Sequence, residues 1–215
     1  QFFYPLPYYV SAFFQSLGFS TTLSWKLMQF LVIFCSLQTF YLWMKKHLDT
    51  VPALLATISY GIVPFRFLTL YVTGQTGGSY GLLFAPLIGL GLYQLFTAKD
   101  SKKDRARKSQ NQPIFSKNSA PLTLGIAGII TSHLLSIIIF FIPLSAYALY
   151  LLSKNFSKQK VLALISSTIF GVLLSAFYFF PFMLEKSWVK IGNEVLIDYT
   201  DHWSTIKQII YSAWG

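Results

Sequence analysis

Two ionisable residues of this chain sit inside apolar runs, where an ionisable side chain most often marks a functional site. Arg66 lies in "PFRFLTLY", about one turn from the end of a long apolar stretch. Its guanidinium can snorkel to the interface or clamp a phosphate with its planar fork. His133 lies in "GIITSHLLSIIIFFIPL", with Thr131, Ser132 and Ser136 around it. That cluster suggests a polar crevice, although a carbonyl of a neighbouring helix would also satisfy the imidazole. A glycine-rich stretch, "YVTGQTGGSYG" (Tyr71 to Gly81), frees backbone N–H groups for an anion at a helix start, or makes a tight turn. Four of the seven acidic residues, Glu185, Glu194, Asp198 and Asp201, gather near the C-terminal end as a solvated face or as part of a site. His47, His133 and His202 lack metal-ligand spacing, and the single Cys35 excludes a disulfide within the chain. Phosphate-binding loops, dinucleotide fingerprints, zinc-protease motifs and nucleophile elbows are all absent from the sequence.

The elements that must hold these residues are apolar helices. The chain is 54% hydrophobic and 18% aromatic, and only 11% of it is charged, against about a quarter in a soluble domain. Apolar tracts of roughly 20 residues alternate with basic loops. This predicts an all-α polytopic transmembrane bundle of about six membrane-crossing helices, in one domain over residues 1–215. The dyad alternation of a β-barrel is missing. A net charge of +10 would suggest nucleic acid in a soluble protein. Here the charge lies between apolar tracts, so anionic membrane lipids are the expected partner and nucleic acid is not.

Trp25 to Met44 is the cleanest span, flanked by Trp25 and Lys26 at one end and by Trp43, Lys45 and Lys46 at the other. The second runs from Val51 to Tyr71 with a kink expected at Pro64, and the third from Ser79 to Phe96. The basic segment 98–120 is then a cytoplasmic loop, which puts residues 1–20 and 185–215 outside. Residues 1–20 read as an extended entry followed by an interfacial helix, Tyr8 to Leu17. A short helix is expected from Ser204 to Ala213. The last apolar tract, Val161 to Met183, follows Lys154, Lys158 and Lys160, which belong inside as well. Pro121 to Leu152 must therefore cross an even number of times. As one helix it would be about 48 Å long, too long for a hydrocarbon core of about 30 Å. A hairpin of two short helices, broken near residues 132–136, is expected, with His133 near its outer apex, and Arg66, His133 and the start of the external segment at Glu185 are expected to converge on one outward-facing cavity. The chain opens on Gln1 and ends on "YSAWG", as a fragment truncated at both ends would.

Four stretches carry a resemblance: "FYPLPYYVSAF", "VPFRFLTLYVTGQTGG", "ITSHLLS", and "FPFMLEKSWVKI" running on to "DHWSTIKQIIYSAWG". Together they resemble the bacterial 6-pyruvoyl-tetrahydropterin synthase-related membrane proteins. That family is similar to the YfhO-type proteins and to GT-C glycosyltransferases. The resemblance implies a GT-C-like fold in the bacterial cytoplasmic membrane, and transfer of a sugar from a polyprenyl-phosphate donor to a cell-envelope acceptor on the extracytoplasmic face. It implies Arg66 and Lys186 for the phosphate, and His133 and Asp201 for the sugar or acceptor. Tyr71, Glu185 and His202 are further matching positions. The family's essential acidic residue would precede Gln1. No cofactor is implied, and a divalent metal ion stays open. Thr69, Thr73 and Gly78 stand where the family pattern carries Asp, Arg and Glu. Two alternatives remain, a non-enzymatic transporter or lipid-handling scaffold, and an inactive fragment. The absence of internal repeats weighs against a transporter.

Overall fold

The computed structural model describes residues 4–72, 74–97, 117–185 and Trp188, and these contain no strand. Helix α1 (Pro5–Ser16) starts earlier than the expected interfacial helix. Pro5 and Pro7 lie in its first turn, where an N–H has no intrahelical partner to lose. It exposes Tyr8, Tyr9 and Phe13, and Leu17 just beyond its end is exposed as well. Helix α2 (Thr21–Met44) is capped by Ser20, whose hydroxyl accepts the Leu23 N–H at 3.4 Å.

The second expected span is discontinuous. Helix α3 (Thr50–Gly61) stops, Ile62 and Val63 bridge, and α4 (Pro64–Phe67) runs into a π-helical turn, Leu68–Val72. Pro64 starts α4 at the position a proline prefers, so the expected kink is a full break. Helix α5 (Thr76–Thr97) lies at the centre, with most of its length buried. Pro86 lacks the N–H that would bond the Leu82 carbonyl. Tyr60 replaces it, its hydroxyl donating to Leu82 O at 2.6 Å, and Thr39 donates to the adjacent Leu83 O at 3.2 Å.

After the 3₁₀ turn Lys117–Ser119, the long apolar tract over residues 121–152 forms two helices, α6 (Ala120–Ser132) and α7 (Leu134–Lys154), broken at His133. Gly91 meets Leu122, Gly125 meets Ile88, and Gly128 meets Phe84, so α6 runs antiparallel to α5 with the backbones drawn close by glycines. Helix α7 starts beside Gly81 and ends near His47 and Trp43, so it runs parallel to α5. The pair is therefore the expected hairpin. Only α6, with 13 residues, is short; α7 has 21 and is long enough to cross.

The last tract is not one straight span. Helix α8 (Lys158–Leu174) and helix α9 (Ala176–Glu185) meet at a bend of 73°. Ser175 sits at the bend. Its hydroxyl donates to Val172 O at 2.9 Å and Gly171 O at 3.2 Å, competing for the carbonyls at the helix end. At the other end of α8, Lys160 Nζ donates to Phe96 O at 2.6 Å and caps the C-terminus of α5.

Among the described residues, four helical segments are by length and composition fit to cross a membrane: Thr21–Met44, Thr50–Val72, Thr76–Thr97 and Leu134–Lys154. The bent pair α8–α9 would make five, rather than the expected six. The shortfall comes from α6, too short to span alone, and from the bend. The core joins α5, α6, α7 and α9 through Leu92, Phe96, Leu122, Ile129, Leu151 and Tyr178, with Leu164 and Val172 of α8 packed against it. A second cluster joins Met28, Val32 and Tyr80. Outward faces carry exposed Phe30, Val51, Ile138 and Ile142, a surface suited to hydrocarbon. Lys45, Lys46, Lys154, Lys158 and Lys160 gather at one end of the bundle, and His133 lies at the other. That grouping is what a basic cytoplasmic side requires. The central part of the basic loop and the segment beyond Trp188, including the helix expected at Ser204–Ala213, lie outside the described residues.

Candidate functional site at the hairpin apex

His133 joins α6 to α7 in an extended conformation, φ −170° and ψ 94°. Its N–H closes α6 on Ile129 O at 2.9 Å, and its carbonyl accepts the Ser136 N–H at 3.0 Å to open α7. The imidazole is 8% exposed. Its Nδ1 shares a hydrogen bond of 2.7 Å with Ser136 Oγ. Of the three hydroxyls expected around it, only Ser136 makes that bond. Thr131 donates to Ala127 O at 2.9 Å and Ser132 to Gly128 O at 2.6 Å, each turned back on its own helix.

The glycine-rich stretch proves to be a packing surface for this apex. A Cβ on Gly77 would stand 2.7 Å from His133 Cδ2 and 2.7 Å from Ser132 O, and one on Gly81 would run into Ser136. Gly78 faces another neighbour, Thr69 Cγ2, at 3.0 Å. Gly74 turns the chain ahead of α5 with φ +61°.

Two tyrosines complete the apex. The Tyr4 ring lies 5.4 Å from the imidazole and 6.1 Å from the Tyr178 ring. Tyr178 is 8% exposed, and its hydroxyl has no hydrogen-bond partner among the described residues. Sequence reasoning passed over both. They lie in "FYPLPYYV" and "AFYFFPF", where their only signal was aromatic content.

Below the apex is a cavity of about 660 Å³ between α5, α6, α7 and α8. Ile137 and Phe140 line it one to two turns from His133, Leu122 and Ala148 line its far end, and Phe179 of α9 packs over it. Its wall is apolar apart from Ser145 and Thr168, and the Thr168 hydroxyl is spent on Leu164 O. Phe141, Ile165 and Ile169 are lining residues that are also exposed, so the cavity opens sideways between α7 and α8. Its α5 residues, Ile88 and Leu92, continue the Gly77 and Gly81 stripe at helical spacing. Apex and cavity thus share one face of α5. A smaller cavity of about 450 Å³ lies between α1, α5 and α6, lined by Leu6, Phe84 and Gly128.

Arg66 is placed elsewhere. It is 2% exposed, donates from Nη1 to Ser36 Oγ at 3.0 Å, and lies 5.4 Å over the Tyr60 ring. Its segment meets α5 through Thr69 at Gly78, about 100° around the helix from Gly77. Neither cavity includes Arg66. The expected single crevice shared by Arg66, His133 and Glu185 is therefore not what the helices build. Tyr71 is 80% exposed and stacks on Phe67. Glu185 is exposed at the end of α9. Lys186, Asp201 and His202, like Thr73, lie outside the described residues. Among the described residues no three His, Cys, Asp or Glu side chains come together as a metal site.

No protein-family model, curated protein or solved structure matches the chain.

Proposed function

We propose that the chain belongs to an integral membrane glycosyltransferase-like protein of GT-C type, which moves a sugar from a polyprenyl-phosphate carrier to a cell-envelope acceptor on the extracytoplasmic face of the bacterial membrane. The observation that supports it is the crevice. An apolar slot that opens sideways toward lipid suits a long hydrocarbon chain better than any water-borne ligand. The polar groups at the neighbouring apex, His133, Ser136 and the Tyr178 hydroxyl that has no partner among the described residues, suit a sugar or an acceptor hydroxyl. In such a transfer an acceptor oxygen attacks the sugar's anomeric carbon while the bond to the carrier phosphate breaks. A base takes the acceptor proton, and cations or N–H donors steady the leaving phosphate. In this reading the imidazole of His133, held by Ser136, orients a hydroxyl. The resemblance puts the catalytic carboxylate outside this sequence.

The reading is tested with membranes from cells expressing the protein and a radiolabelled polyprenyl-phosphate sugar. Label should pass to a lipid-extracted envelope acceptor, and His133→Ala should abolish the transfer while membrane insertion is kept. A lipid-handling scaffold would bind the carrier and transfer nothing. That outcome would replace the enzymatic reading.

A further inference from the structure

The apex is closed on one side by α1. Tyr4, at the N-cap of that helix, holds its ring 5.4 Å from the imidazole of His133 and 6.1 Å from the Tyr178 ring, and His133 and Tyr178 are each only 8% exposed. A ligand that approaches from this side must displace Tyr4 before it reaches either group. Farther along the helix, Tyr9 stacks on Phe177 of α9 at 6.5 Å. Leu6, Val10 and Phe14, spaced by four, lie on the cluster of Met28, Val32 and Tyr80.

The seat of α1 is loose. The cavity of about 450 Å³ separates Leu6 and Tyr9 of α1 from Leu87, Ala127 and Phe177, so dispersion contacts are lost along that side. Lipid gives helices no hydrophobic drive to associate, and packing is what holds them. The layer around α1 also contains two buried hydroxyls with no partner among the described residues, those of Tyr80 and Tyr178. A buried unsatisfied hydroxyl penalises the closed arrangement, and displacement of α1 would open both to water or headgroup oxygens. The turn over residues 17–20 has room to pivot. Gly18 sits there at φ +93°, and a Cβ on it would meet nothing within 4 Å.

We propose that α1 is a strap over the His133 apex that pivots at the turn over residues 17–20, and that its displacement exposes His133 and Tyr178. The proposal concerns access to the apex whatever reaction takes place there, and its test reads exposure alone.

The full chain in phosphatidylcholine nanodiscs is treated with diethyl pyrocarbonate, and modification of each histidine is followed by mass spectrometry. His47, exposed at the opposite end of the bundle, is the reference. In the parent, His133 should react to completion but about tenfold or more behind His47. Tyr80 packs with Met28 and Val32 rather than on the imidazole, so Tyr80→Phe acts on His133 only through the strap. By removing an orphaned hydroxyl it favours the seated strap and should slow His133 about tenfold. Tyr9→Ala removes the Phe177 stack and should speed His133 about fivefold. The His47 rate should stay the same in both variants. A His133 that reacts as fast as His47 in the parent would show an apex that is never covered, and one that stays unmodified would show a cover that never lifts. Either result would overturn the proposal, as would a parent-like His133 rate in either variant.

Discussion

The contact between α5 and α6 leaves no space for a methyl group at Gly91, so Gly91→Ala tests the bundle directly. A Cβ built there would lie 2.7 Å from Leu122 Cα and 2.8 Å from Leu122 Cβ, and would also strike the Leu122 nitrogen. Ordinary contacts begin at 3.4 Å, so α6 would have to retreat by about 0.7 Å or more. The obstacle is backbone, which has no rotamer to turn away, and neighbouring layers are close-packed. Overpacking of this kind costs about 1–3 kcal/mol. Replacing glycine in a helix interior returns about 1 kcal/mol of propensity. Because the obstacle is backbone, the cost lies at the upper end of that range, and the expected net is destabilisation of about 2 kcal/mol, a roughly 30-fold fall in the folded-to-unfolded ratio. Denaturant titration in detergent, followed by circular dichroism, would measure it. Gly61→Ala is the control, since its Cβ would meet only the flexible tip of Leu37, at 3.2 Å. It should be near neutral. If Gly91→Ala were as stable as the parent, the antiparallel packing of α5 on α6 would be wrong.

Tyr60→Phe should cost about 1–3 kcal/mol in the same titration, because it orphans the Leu82 carbonyl that Pro86 leaves open; a neutral result would mean that water already serves that carbonyl. At the lysine end, Trp43 Nε1 donates to Tyr147 OH at 3.4 Å, and Tyr147 OH lies 2.9 Å from His47 Nε2. Partial burial holds the His47 pKa below its ordinary value of 6.5, so the neutral ring is the favoured partner. A lowered folded pKa means that this stabilisation is complete above pH 6.5 and is lost as pH falls below that value. The unfolding midpoint should drop over that window in the parent and lose this component in His47→Phe; an unchanged slope in the variant would assign the effect to another group.

The hairpin was legible because it followed from arithmetic. Lysines at both ends of Pro121 to Leu152 demanded an even number of crossings, and the tract was too long for one helix. The break at Pro64 was legible for a local reason, the missing N–H. What His133 touches was not legible. Tyr4 and Tyr178 come from opposite ends of the chain, and apolar periodicity does not say which helices meet. The same blindness put Arg66 and His133 in one crevice: both read as lying toward the same membrane face, but parity along the membrane normal carries no information about position around α5. The bend at Ser175 was hidden because "ISSTIFGVLLSAFYFF" reads as one apolar run, and a serine in such a run only bends the chain when its hydroxyl turns back on the helix. The glycines of Tyr71 to Gly81 offered two readings, an anion cradle and a tight turn. The structure adds the one that dominates, close approach of the hairpin apex.

The central claim is that the crevice between α7 and α8 holds the isoprenoid chain of a carrier lipid. A photoreactive polyprenyl phosphate, irradiated with the protein in native membranes and mapped by mass spectrometry, tests it most directly. The account predicts adducts on crevice residues such as Ile137, Phe140 and Ile165, displaced by unlabelled polyprenyl phosphate and lost when Ala148→Trp fills the cavity. Adducts confined to the outward-facing Ile138 and Ile142, unaffected by competitor or by Ala148→Trp, would contradict it.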